Sequence, residues 1–173
     1  MYRMYLTAGL LSVCSLFSSA QAEIVESFQI GSGDSTSSLI FQFTNGNQYL
    51  YEVSYSEPMS GRDAFDVIEA AQSGYFIADI VTFSFGDSLF GLSIGTDQDE
   101  GFGTAPEYLD YWHYWTKSDE SAEWDFSSVG FSDRILSDGS WDGYVFNSNF
   151  APVPGCASLL AMTGIISSRR RRR

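Results

Sequence analysis

All four tryptophans, Trp112, Trp115, Trp124 and Trp141, and the only histidine, His113, stand between positions 108 and 146 of a 173-residue chain. Tyr108, Tyr111, Tyr114, Phe126, Tyr144 and Phe146 accompany them. Indole and phenol rings offer flat faces that stack on sugar rings or other planar ligands, and their polar edges find partners even when buried. Glu107, Asp110 and Glu123 lie nearby as acceptors. Trp112, His113, Trp115, Trp124 and Trp141 are therefore the candidate ligand-binding residues, with His113 as a polar contact. The same residues also suit a core strand around a satisfied histidine. Tyr111 to Thr116 has the period of a strand, with Trp112 and Tyr114 facing one way and Tyr111, His113 and Trp115 the other.

Catalysis finds little support. A serine triad would have to use His113. Zinc chemistry lacks ligands, because both cysteines, Cys14 and Cys156, stand near the chain ends. Paired carboxylates can hydrolyse a glycosidic bond, but among 22 acidic residues some pair always qualifies. The chain reads as non-enzymatic. Asp97, Asp99 and Glu100 are weak metal candidates whose spacing fails the EF-hand pattern, and Ca²⁺ is the one cofactor they would suit.

The elements that must position these side chains follow from periodicity. Leu39, Phe41 and Phe43 alternate with polar positions, Asn45-Gly46 makes a turn, and Tyr49, Tyr51, Val53 and Tyr55 alternate beyond it, predicting a β-hairpin. Ser60 and Asp63 have capping-box spacing, and Ala64, Phe65, Ile68 and Ala71 fall on one helical face, with Gly74 placed for a C-cap. Tyr75 to Phe85 and Leu89 to Ile94 predict a second hairpin turning at Gly86-Asp87-Ser88. Residues 95–106 read as a loop, and the polar stretch 23–38 as a leader or edge segment.

The two ends read as addresses. Residues 1–22 have a positive start at Arg3, an apolar run from Leu6 to Phe17 and an Ala20-Gln21-Ala22 cleavage site, the pattern of a signal peptide. Its partners would be the secretion translocon and signal peptidase. Residues 151–173 hold Pro152, Val153, Pro154 and Gly155, an apolar run to Ile166, and Arg169, Arg170, Arg171, Arg172 and Arg173. From Pro152 to Ser168 a helix would rise about 25 Å, short of a bilayer core of about 30 Å. The arginines would stay on the cytoplasmic side, leaving everything before Pro152 outside. Between the two ends only Arg62, Lys117 and Arg134 oppose all 22 acidic residues. Such a body is self-repelling and cation-attracting, and it excludes nucleic-acid binding.

The tail resembles the PEP-CTERM sorting signal of Gram-negative bacteria, although no Glu stands between Pro152 and Pro154. The resemblance implies an exosortase-type membrane protease as partner. It also implies transient retention in the inner membrane, then release to the cell surface or outside. Tyr111-Trp112-His113-Tyr114-Trp115, Trp124, Ser127 to Ser132 and Asp138-Gly139-Ser140-Trp141-Asp142-Gly143-Tyr144 resemble the signature of transcobalamin-like C-terminal domains. That resemblance implies a soluble-ligand-binding β-grasp fold over roughly 39–147.

The expected protein is thus exported, with a signal peptide (1–22), a polar leader (23–38), one α+β, β-grasp-like body (39–150) and a short transmembrane sorting tail (151–173). The expected activity is non-catalytic binding of a small ligand or a polysaccharide. The alternative is a structural surface or biofilm-matrix component without a discrete ligand, dependent on divalent cations.

Overall fold

The structure, a computed structural model, describes residues 22–153. The signal-peptide stretch up to position 21 and the tail from Pro154 onward, including Gly155 and Arg169–Arg173, lie outside the described residues. Nine strands and one helix follow in chain order. They are β1 (Glu23–Gly31), β2 (Ser35–Gln42), β3 (Asn47–Tyr55), α1 (Gly61–Ala71), β4 (Phe76–Phe83), β5 (Gly86–Ile94), β6 (Asp97–Glu100), β7 (Trp112–Lys117), β8 (Asp125–Phe126) and β9 (Trp141–Phe146).

The expectation of an α+β, β-grasp-like body is corrected: the fold is mostly β, with 48% strand and 8% helix. Six strands form one sheet in the order β1-β3-β2-β9-β7-β8, and β4-β5-β6 form a second. The second hairpin buries Phe76, Leu89, Leu92 and Ile94 along its inner side. An apolar face of that kind needs an opposing face, so the hairpin packs over the first sheet rather than extending it. Among the described residues no helix is long and apolar enough to cross a membrane.

The turn and N-cap signals read from the sequence build as expected, whereas α1 is C-capped at Gln72 rather than Gly74 and Ala71 is exposed rather than on the buried face. The Asn45-Gly46 turn joins β2 to β3, with Gly46 at φ +90°. Ser60 caps α1 by accepting from the Asp63 amide, while the Asp63 carboxylate accepts from the Ser60 backbone at 2.9 Å. Ala64, Phe65 and Ile68 form the buried face of that helix. The second hairpin turns two residues earlier than expected, at Ser84-Phe85, because Phe83 pairs with Gly86. Glu23–Gly31, read as leader or edge segment, is the edge strand β1, parallel to β3. Part of the expected 95–106 loop is the strand β6.

The core lies between the first sheet, α1 and the second sheet, and aromatic rings fill it. Phe41 stacks on Tyr144 at 5.1 Å and meets Phe65 and Phe76 edge-on at 5.4 and 5.5 Å. Each such buried ring contributes about 1.5–3 kcal/mol by transfer. One face of the first sheet is therefore committed to the core. The opposite face is left for other uses.

Candidate functional site

Strand alternation divides the aromatic segment between the two faces of the first sheet. On β7 the core-facing row is Trp112 and Tyr114; on β9 it is Asp142, Tyr144 and Phe146. Trp112 packs edge-on against Phe43 and Phe146 at 5.3 and 5.4 Å and is a core residue. Between Arg134 and Tyr114, the fully buried Asp142 accepts from the Arg134 Nε at 2.7 Å and from the Tyr114 hydroxyl at 2.6 Å. Burial pushes the Asp142 carboxyl above its usual range, against the pull of those two donors.

The opposite face carries the other row: His113, Trp115 and Lys117 from β7, and Trp141, Gly143 and Val145 from β9. His113 is buried, stacked on Tyr111 at 3.8 Å, and its Nε2 meets the Leu109 carbonyl at 3.3 Å. A carbonyl only accepts, so Nε2 carries the proton. Burial holds the ring below its ordinary pKa, which keeps it neutral. His113 is thus shielded by protein on this face rather than presented to a ligand. Trp115 meets Phe126 edge-on at 5.3 Å.

Trp124 and Trp141 come together. Their rings meet at 6.4 Å, nearly perpendicular, and the Lys117 ammonium sits over both, 5.0 Å from Trp124 and 4.5 Å from Trp141. Lys117 also donates to the Glu120 carbonyl at 2.8 Å, and burial holds its ammonium below the ordinary value. Ammonium-over-indole contacts of this kind fix the rings as well as the cation. The three side chains wall a groove of about 340 Å³ floored by Ile24, Ile40 and Leu50, with Glu52 and Glu120 at its rim and Pro152 and Val153 on its far side. Apolar floor, aromatic wall and a few polar groups are the makings of a small-ligand site.

Gly143 makes this packing feasible. A Cβ placed there would lie 2.5 Å from Pro152 Cγ and 3.0 Å from the Trp124 ring. The bare backbone lets Trp124 and Pro152 both rest on the sheet.

The acidic stretch has a different use. Asp97 accepts from Asn45 Nδ2 at 3.0 Å, Asn47 Nδ2 at 2.7 Å and the Tyr49 hydroxyl at 2.8 Å, and Asp99 accepts from the Thr44 amide at 2.8 Å. These carboxylates tie β6 to the β2–β3 turn. Among the described residues no group of three or more His, Cys, Asp or Glu side chains is arranged to hold a metal ion.

Sequence reasoning passed over Lys117, Gly143, Gln42 and Gln48 as site residues. The period of β7 puts Lys117 on the Trp115 row, which is the one signal that could have found it. It also passed over Gly91-Leu92-Ser93-Ile94-Gly95, which has the letters of a nucleophile elbow. That stretch runs through and just past β5, with Ser93 paired to Ile77 and Gln98 in an antiparallel sheet. An elbow needs a strand-to-helix turn, so Ser93 is a sheet residue.

No protein-family model matches the chain, and no curated protein matches it.

Proposed function

We propose that this chain is an exported, non-catalytic binding protein whose body takes a saccharide or similar ring-shaped ligand in the groove of Trp124, Trp141 and Lys117. The observation that carries the reading is the pair of perpendicular indoles fixed by one ammonium beside an apolar floor. A sugar ring would stack its C–H face on Trp141 or Trp124. Its hydroxyls would meet Glu52, Glu120 and the Lys117 ammonium. Trp115 stands on the same sheet face as a support rather than a wall. On this reading the tail around Pro152-Val153-Pro154-Gly155 and Arg169–Arg173 retains the protein transiently in the inner membrane. An exosortase-type protease then processes it, and the body reaches the cell surface or the outside.

The test is a titration of tryptophan emission with neutral and uronate oligosaccharides. A saturable shift that disappears in Trp141→Ala, with the variant still folded, is expected; no saturable response across the panel overturns the reading. For the tail, intact mass and fractionation from the protein's own cells should find the body outside and shortened at both ends. Deletion of Arg169–Arg173 should block that processing.

A second reading rests on a separate observation. Phe83, Phe85 and Phe102 cluster at the far edge of the second sheet, with Phe85 80% exposed and Phe83 stacked on it at 5.1 Å. An exposed aromatic cluster on an acidic body suits a matrix component whose copies associate once divalent cations screen their charge. Calcium-dependent growth in size by light scattering, abolished by Phe85→Asp, would favour this role over a discrete ligand.

A further inference from the structure

The chain segment leaving the domain is bound like a peptide ligand. Gln48 is fully buried, and its Nε2 donates to the Val153 carbonyl at 2.7 Å and to Gln42 Oε1 at 2.7 Å. Gln42 Oε1 in turn accepts from the Val153 amide at 3.4 Å. Two glutamines paired across β2 and β3 therefore read both backbone groups of a single residue, as a neighbouring strand would. One residue earlier, Pro152 is buried over Gly143 and against the Trp124 ring. Val153 itself is exposed. Backbone capture at one position and a closed pocket for a ring at the position before it together select an extended Xaa-Pro-Xaa segment. Proline suits such a pocket because its φ is already set and it has no N–H to leave unpaired.

We propose that this face of the first sheet is a proline-anchored peptide seat. Its resident occupant is the chain's own Ala151–Val153, and it accepts the same segment offered as a separate peptide once the resident copy is dislodged. Burying a glutamine at this depth is costly unless its amide has partners. The Gln48 Nε2 has two, one of them the strap's Val153 carbonyl, while its Oε1 has none among the described residues. The seat shields the residues just before Pro154 from proteases and fixes where the C-terminal segment leaves the sheet. This stands apart from the groove's ligand: it concerns what forms the groove's far wall.

The experiment uses the full chain carrying Pro152→Ser, which changes a buried ring of the strap that lies outside every strand of both sheets. Cleavage by a broad-specificity protease within 148–153 should rise about tenfold or more over the natural chain, since cutting tracks the open population. Tryptophan emission should shift to the red as Trp124 gains water. A synthetic peptide of sequence Asn-Phe-Ala-Pro-Val-Pro-Gly, spanning 149–155, should reverse the emission shift saturably, and the same peptide with Ala in place of its first proline should not. Gln48→Met is the second variant. It retains an apolar fill for the sheet and should release the strap while leaving the thermal transition cooperative. The proposal fails if both variants resist the protease as the natural chain does. It also fails if the two peptides act alike on Pro152→Ser.

Discussion

Arg134, from the connection between β8 and β9, meets Asp142 of β9 at 2.7 Å, and the carboxylate of that pair is fully shielded from water. The Tyr114 hydroxyl closes the second carboxylate oxygen at 2.6 Å. Arg134 also offers its own carbonyl to the Gly61 amide at 3.0 Å, so the pair links the helix start to the sheet. A pair of this kind constrains the core more than it stabilises it, but removing one partner strands a buried charge.

Arg134→Met should therefore cost about 3–5 kcal/mol in urea unfolding at neutral pH. With the guanidinium gone, the Asp142 carboxyl rises further above its unfolded value. The folded state then binds the proton more readily, and stability must increase as pH falls toward the ordinary carboxylate range. Asp142→Asn in the same background should recover part of the loss at neutral pH. A variant insensitive to pH between 4 and 7 would mean that Asp142 is hydrated.

Asp97→Ala removes the acceptor shared by Asn45, Asn47 and Tyr49. The buried Tyr49 hydroxyl is then left without its partner, at a cost of about 1–3 kcal/mol. Asp97→Asn keeps an acceptor oxygen and should cost less. Amide exchange at 44–47 should quicken in the first variant more than in the second.

Tyr49, Tyr51, Tyr75, Tyr114 and Tyr144 all titrate above the usual phenol range, chiefly because burial disfavours the phenolate. Tyr75, which donates to Glu26 at 2.8 Å, is raised to about 12. The folded state thus holds protons that the unfolded chain gives up near pH 10. The associated stability is complete below that point and lost as pH rises toward 12. Absorbance at 295 nm should show one early group of phenols and a late step that coincides with loss of near-ultraviolet circular dichroism. A single smooth ionisation with the fold intact would contradict this.

Gly143→Ala should cost about 1–3 kcal/mol, because its methyl group must displace Pro152 or the Trp124 ring. Unlike a core overpacking, the change should be felt on one face only: tryptophan emission shifts while the signals of Phe41, Phe65 and Phe76 in a methyl- and aromatic-resolved spectrum stay in place.

The parts of the fold legible in the sequence are those set by neighbours along the chain. Ser60 and Asp63 stand three residues apart and cap α1 by their own geometry; Asn45-Gly46 closes β2 on β3. The alternation from Trp112 to Trp115 gave the right sidedness for every ring in that strand. What could not be read was pairing at a distance. β2 lies beside β9 and β1 beside β3, both parallel, and parallel partners leave no turn to mark them. Periodicity likewise says which residues share a face, not which face meets the core. Trp112 and Trp141 therefore looked equivalent as binding residues, although one is packed under the second sheet and the other lies beside the groove.

One feature of β3 bears on how the domain carries load. Its first two residues hold the first and last described segments: Asn47 pairs with Glu23 at the start of β1, and Gln48 binds Val153. The domain is thus attached at a single corner, like a bead on a doubled thread. Tension between whatever precedes position 22 and whatever follows position 153 acts across that corner alone. It would peel the strap and the first residues of β1 before any force reached the aromatic core.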